Sequence, residues 1–270
     1  MVSQKNLPDA ERLSIFAASI LLSYTLARFI NIPERELGIQ LPGIYLSATV
    51  NVRTIIVLLV AILTASGADW LLREHPLAEK KRTGEHWLLP ALTAWVIGFP
   101  ITELPFGPVW LGSLAIGGIL LVMVLIAEFI TIDPEDVRQP LAAAGLTAVS
   151  FALYLSLVVL LRFFGLRLIL TLPAVMLAGG LVSLRTLNLR LHGKWAFVEA
   201  IAIALISVQI AAALHYWPLS PIGYGLALLG ATYACTGLIA NLSEEEPVRR
   251  AVVEPLVFIL VLWGMAYWFR

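Results

Sequence analysis

The chain has 270 residues, of which 60% are hydrophobic and 13% charged, with eighteen Lys+Arg against eighteen Asp+Glu. Soluble domains carry roughly 25% charged residues, so composition excludes an ordinary water-soluble fold and points to lipid as the main solvent. Zero net charge offers no basic face to nucleic acid, and the single cysteine, Cys235, excludes an internal disulfide or a multi-cysteine metal site.

A membrane-crossing helix needs about 20 mostly apolar residues. Nine segments read as spans: 12–31, 51–72, 87–103, 108–130, 141–163, 168–188, 195–215, 220–242 and 252–269. The third and last are the shortest and are rich in tryptophan and proline. The expected fold class is all-α, a polytopic transmembrane helical bundle of about nine spans, with one leading helix and four helical hairpins. Residues 1–270 would form a single integral membrane domain with no soluble domain. The first segment reads as a retained anchor, because Arg28 stands where a cleaved signal peptide needs small residues.

After the first helix the pattern changes. Glu36-Leu37-Gly38-Ile39-Gln40-Leu41 alternates, Pro42-Gly43 can turn, and Ile44-Tyr45-Leu46 resumes an apolar run. This predicts a short β-hairpin on the outer face; the alternative is a tilted second helix beginning near Pro42.

Farther along, the end of helix 4 is echoed by the end of helix 8. Leu125-Ile126-Ala127-Glu128 precedes Asp133-Pro134, and Leu238-Ile239-Ala240-Asn241 precedes Glu246-Pro247 at the same spacing. Internal duplication explains the echo. So does the ordinary use of proline to stop one helix and start the next.

Loop charge sets the orientation. With the N-terminus in the cytoplasm, twelve Lys/Arg fall on the cytoplasmic side and six on the other, and those six include no lysine. The expected placement is a multi-pass protein of the inner (plasma) membrane with a cytoplasmic N-terminus and an external C-terminus.

Charged groups near membrane depth are the candidate chemistry, since a charge at the bilayer centre costs roughly 2.5–3.5 kcal/mol on insertion scales. Asp69, Glu128, Glu199 and Glu254 fall near the cytoplasmic ends of their helices, with Arg185 and Asn241 at matching levels. Converging, they would form a polar vestibule in which Asp69, Glu128 and Arg185 are the candidate catalytic residues, able to relay protons or hold a divalent cation. The plainer reading is that each side chain reaches water separately. On the outer side Arg28, Arg53, Arg162 and Arg167 are candidate lipid or anion contacts, with separate snorkelling as the alternative. His75, His86 and His192 read as solvated loop histidines or as a cytoplasmic zinc site, and His215 lies on the opposite side.

No Walker A loop, dinucleotide fingerprint or Gly-x-Ser-x-Gly is present, and no cofactor is expected. Glycines in helices 4, 6 and 8 predict that the even-numbered helices pack at the centre. The leading functional reading is a non-catalytic component that binds membrane lipids or other membrane subunits. The rival is a membrane-embedded enzyme or transporter using the vestibule.

Overall fold

The computed structural model describes residues 7–27, 29, 35–41, 44–50, 52–77, 84–191, 193–245 and 247–269, with the backbone alone for 35–54. Among them are nine α-helices: α1 (Ala10–Ala27), α2 (Val52–Leu72), α3 (Leu88–Glu103), α4 (Pro108–Thr131), α5 (Gln139–Phe163), α6 (Leu168–Arg190), α7 (Phe197–His215), α8 (Pro221–Ser243) and α9 (Val248–Trp268). Each corresponds to one expected span. Eight are long and apolar enough to cross a membrane. The ninth, α3, has 16 residues and is preceded by a 3-10 turn, Gly84–Trp87.

Two backbone segments, β1 (Arg35–Leu41) and β2 (Ile44–Val50), pair antiparallel, from Arg35 opposite Val50 to Leu41 opposite Ile44. Their turn, 42–43, lies outside the described residues. The outer-face hairpin expected here belongs to the proposed topology rather than to the observed fold. A second helix starting near Pro42 is ruled out, because α2 begins at Val52.

The chain divides into two compact units, Met1–Leu146 and Thr147–Arg270. In the first, α3 packs against α1, α2 and α4 and is buried along most of its length. A helix wrapped by neighbours needs no apolar stripe, since every face meets another side chain. The expectation that even-numbered helices form the centre therefore fails in this unit. Gly117 and Gly118 of α4 instead admit side chains from neighbouring helices: a Cβ on Gly117 would run into Ile97 Cγ2, and one on Gly118 would meet Leu21 Cδ1 at 2.7 Å.

In the second unit α8 packs against α6, α7 and α9 and is the buried centre, so the expectation holds there. Its start is well defined. Pro221 occupies a first-turn position where no N–H is needed, and the Ser220 hydroxyl accepts the Gly223 N–H at 3.1 Å. The turn after α6 uses Gly193 at φ +84°, whose N–H returns to the Asn188 carbonyl at 2.9 Å. Only a residue without a Cβ adopts that left-handed conformation cheaply.

Candidate functional site

In the first unit, the ends of α2 and α4 meet the 3-10 turn that leads into α3. Glu128 near the end of α4 has no solvent exposure. Its Oε2 lies 2.7 Å from Nδ1 of His86, an imidazole that is itself only 5% exposed. With Nδ1 protonated, His86 donates to the carboxylate and offsets part of the cost of burying it. On the far side of the ring, Nε2 is 3.6 Å from Glu85 Oε1. The next residue in the turn, Trp87, donates its indole N–H to Asp69 Oδ1 at 3.1 Å, and Arg73 donates to Asp69 Oδ2 at 2.7 Å. One short turn thus sends successive side chains to the two carboxylates singled out from sequence.

Apolar groups close around this polar pair. Leu72, Phe129 and Ile132 form a buried cluster with Leu77 and Trp87 against it. His75 is buried with its ring edge-on to Phe129 at a centroid distance of 4.9 Å, and its Nδ1 accepts the Leu77 N–H at 3.2 Å. Farther out, Arg12 of α1 pairs with Glu74 and lies over the Trp70 ring. His75 and His86 are therefore not solvated loop histidines. Among the described residues no group of three His, Cys, Asp or Glu could hold a metal ion; His192 lies outside them.

The matching end of the second unit is built differently. Asn241, at the position in α8 that Glu128 holds in α4, is buried. Its Oδ1 accepts from Arg190 of α6 at 2.9 Å, and its Nδ2 donates to the Ala251 carbonyl of α9 at 3.2 Å. Arg190 also grips both Glu244 oxygens, each at 3.1 Å. Arg185 is 1% exposed and donates to Asn188 Oδ1 at 2.9 Å. Deeper in the unit, hydroxyls pair between helices: Ser183 with Thr236 at 3.1 Å, Ser207 with Thr232 at 2.9 Å, and Thr232 with Tyr154 at 3.2 Å. Such pairs satisfy polar groups buried among apolar helices.

At the other end of this unit Arg162 donates to the carbonyls of His215 and Trp217 and lies over the Tyr224 ring at 5.3 Å. It caps α7 and holds the turn into α8, a cation at the negative end of a helix dipole. Arg167 precedes α6 and is exposed. The side chains of Arg28 and Arg53 lie outside the described residues. Glu199 and Glu254 are exposed on α7 and α9.

Of the predicted site residues, Asp69 and Glu128 come together at one end of the first unit, and Arg185 belongs to the second. Sequence reasoning missed His86, Trp87 and Arg190 as the partners of these groups. Two aromatic rings, His86 and Trp87, directly before an apolar helix were the available signal.

The echo between α4 and α8 extends beyond their ends. Pro108 and Pro221, Gly112 and Gly225, Gly117 and Gly230, Leu125-Ile126-Ala127 and Leu238-Ile239-Ala240, and Pro134 and Pro247 all lie 113 residues apart. Both helices also carry proline in the first turn. Prolines at helix starts recur for physical reasons alone. Glycines in register inside the helices add weight to internal duplication.

Neither a curated protein nor a solved structure matches the chain. The DUF5656 family of proteins of unknown function matches residues 32–269, from just after α1 to the end of α9, and the chain belongs to that family.

Proposed function

We propose that this protein is a multi-pass component of the inner (plasma) membrane that binds membrane lipids or other membrane subunits and carries out no chemistry of its own. The observation that carries the reading is the apolar surface of the long helices. Leu59, Ile62, Ile116, Ile119 and Leu260 are all exposed large hydrophobics in mid-helix. Patches of that size are untenable in water and ordinary against acyl chains. The buried carboxylate supports the non-catalytic half, because Glu128 is enclosed by the groups that tie α4 to the turn before α3. The excess of Lys/Arg in one set of loops supports a cytoplasmic N-terminus and an external C-terminus, with α3 counted as a crossing. Exposed Arg167, with Arg28 and Arg53, would meet lipid phosphates on the outer side.

Purified protein in lipid nanodiscs tests this directly. The expected result is tightly retained lipid in native mass spectra, with no lipid turnover and no solute flux. Unaided turnover or flux overturns it. Reporters at the two termini, each active in one compartment only, test the topology, and signals from the same side overturn it.

A second reading, a membrane-embedded enzyme or transporter, is favoured by one observation: adjacent residues of one turn hold both Asp69 and Glu128. It expects D69N and E128Q to abolish flux or turnover while leaving the protein folded.

A further inference from the structure

The buried residues of α1 form one stripe: Leu13, Phe16, Ala17, Ile20, Tyr24 and Ala27. Steps of three and four keep them on a single helical face. That helix packs on α2, α3 and α4, and each of the three offers it a glycine. A Cβ on Gly67 of α2 would run into the Phe16 ring. One on Gly118 of α4 would meet Leu21 Cδ1 at 2.7 Å, and one on Gly98 of α3 would meet Tyr24 Cε1 at 2.9 Å. Tyr24 is 1% exposed, and its hydroxyl donates to the Ala94 carbonyl of α3 at 2.6 Å. Gly98 follows Ala94 by one turn, so no side chain stands between that carbonyl and the phenol. Where α1 begins, Arg12 pairs with Glu74 and lies over the Trp70 ring at 5.2 Å. Small residues that let helices approach closely are the usual means of helix association in membranes. Here three of them, on three different helices, are each filled by a different side chain of α1.

The covalent connection contributes little to this fit. Arg12 lies by Glu74 and Phe16 by Gly67, so α1 and α2 run antiparallel. Neighbours of that kind are ordinarily joined by about 2–8 residues, whereas residues 28–51 intervene here. A tether of that length sets proximity, and the notches set the position. All three glycines lie within the family match, which begins at residue 32, and α1 precedes it.

We propose that the face formed by α2, α3 and α4 is a binding site for one transmembrane helix, with α1 as its tethered ligand. Phe16, Leu21 and Tyr24 enter the three notches, and the tether keeps other helices out, α1 of a second copy included. The site deepens the subunit-binding reading above and rests on it, because it names the surface that a foreign helix would have to take from α1. Tethering gives α1 an effective concentration of about 1 mM, so a free helix at ~10 μM is outcompeted about 100-fold.

The test uses full-length protein in detergent micelles, with a protease recognition sequence inserted after residue 31. The probe is a fluorescent peptide of residues 8–29. Uncut protein is expected to take up almost no peptide. Cut protein is expected to keep its own α1 through a sizing column and to exchange it for excess peptide, raising bound fluorescence about 100-fold. The F16A peptide is expected to bind at least about ten-fold more weakly, and Y24F about five-fold, the effect of one buried hydrogen bond. Changes made in the peptide leave the fold of the protein untouched. Loss of α1 on cutting without peptide uptake, or equal binding of the F16A peptide, overturns the site. Uptake by uncut protein, or dimers held through exchanged α1, overturns the tethered assignment. Cut protein that keeps α1 and never exchanges it makes α1 a fixed part of the fold, and overturns the proposal as well. Alkaline carbonate extraction of membranes separates the two levels of failure. Protein kept in the pellet without peptide exchange sinks the site alone, whereas protein released to the supernatant sinks the membrane reading itself.

Discussion

The ends of α4 and α8 carry the same Leu-Ile-Ala run and then part ways. In the first unit a carboxylate, Glu128, is buried against an imidazole from a short turn. In the second an amide, Asn241, is buried between a guanidinium from α6 and a backbone carbonyl of α9. Each residue is a tie between its helix and another segment. The difference lies in what the tie leaves behind when cut. A buried carboxylate and its imidazole are costly to strand, because each has given up hydration for the other. An amide is neutral, and its guanidinium partner still has Glu244. One place in a repeated pattern can therefore hold different chemistry while doing the same mechanical work.

That contrast sets the largest expected effect. E128A strands His86 in an apolar cluster and is expected to cost about 3–5 kcal/mol of stability, read from thermal unfolding in detergent. N241A is expected to cost about 1–3 kcal/mol, the range for a lost buried hydrogen bond. Equal losses would break the comparison. E128Q retains an acceptor for His86, and recovery of about half the loss would show that charge supplies the rest.

Arg162 sharpens the same contrast at the opposite end of the second unit, where a cation holds two backbone carbonyls of its own chain. R162A removes the donors to the His215 and Trp217 carbonyls and is expected to cost about 2 kcal/mol by the same measurement. R162K should recover less than half of this, because an ammonium lacks the planar fork that reaches two carbonyls.

Glycines compare the packing of the two units. G117A drives a methyl into Ile97 and is expected to destabilise by about 1–2 kcal/mol. In α6 the same change at Gly180 meets only the Ala204 Cβ at 3.5 Å, an ordinary contact. There the gain in helix propensity, up to about 1 kcal/mol, makes G180A neutral or stabilising. Melting temperatures of the pair check the sign at each site.

The smallest effect belongs to the surface of the first unit. Arg73 is largely exposed and pairs with Asp69 one turn away, so R73A is expected to change stability by only about 0.3–0.5 kcal/mol, less at high salt. A larger loss would mean that Arg73, and not Trp87, is the main support of Asp69.

Helix positions were legible along the chain because each helix is a long apolar run, and proline, glycine and charge mark where the runs stop. The span expected over 108–130 is the helix Pro108–Thr131, and that over 220–242 is Pro221–Ser243. The largest shift among the described residues is at the start of α9, which begins at Val248 where the expected span began at 252, because the first turn of a helix tolerates Arg249 and Arg250. That Asp69, Glu128 and Asn241 stand apart from the apolar helices that carry them was legible as well, since polar groups inside apolar helices are rare for energetic reasons.

What they would touch was not. Glu128 and His86 are 42 residues apart, Arg190 and Asn241 51 apart, and no local pattern encodes such a meeting. Helix formation follows from each segment's own composition. Partner choice depends on how the helices rotate and how the turns between them fold, which is decided only when side chains from distant segments compete for the same buried space.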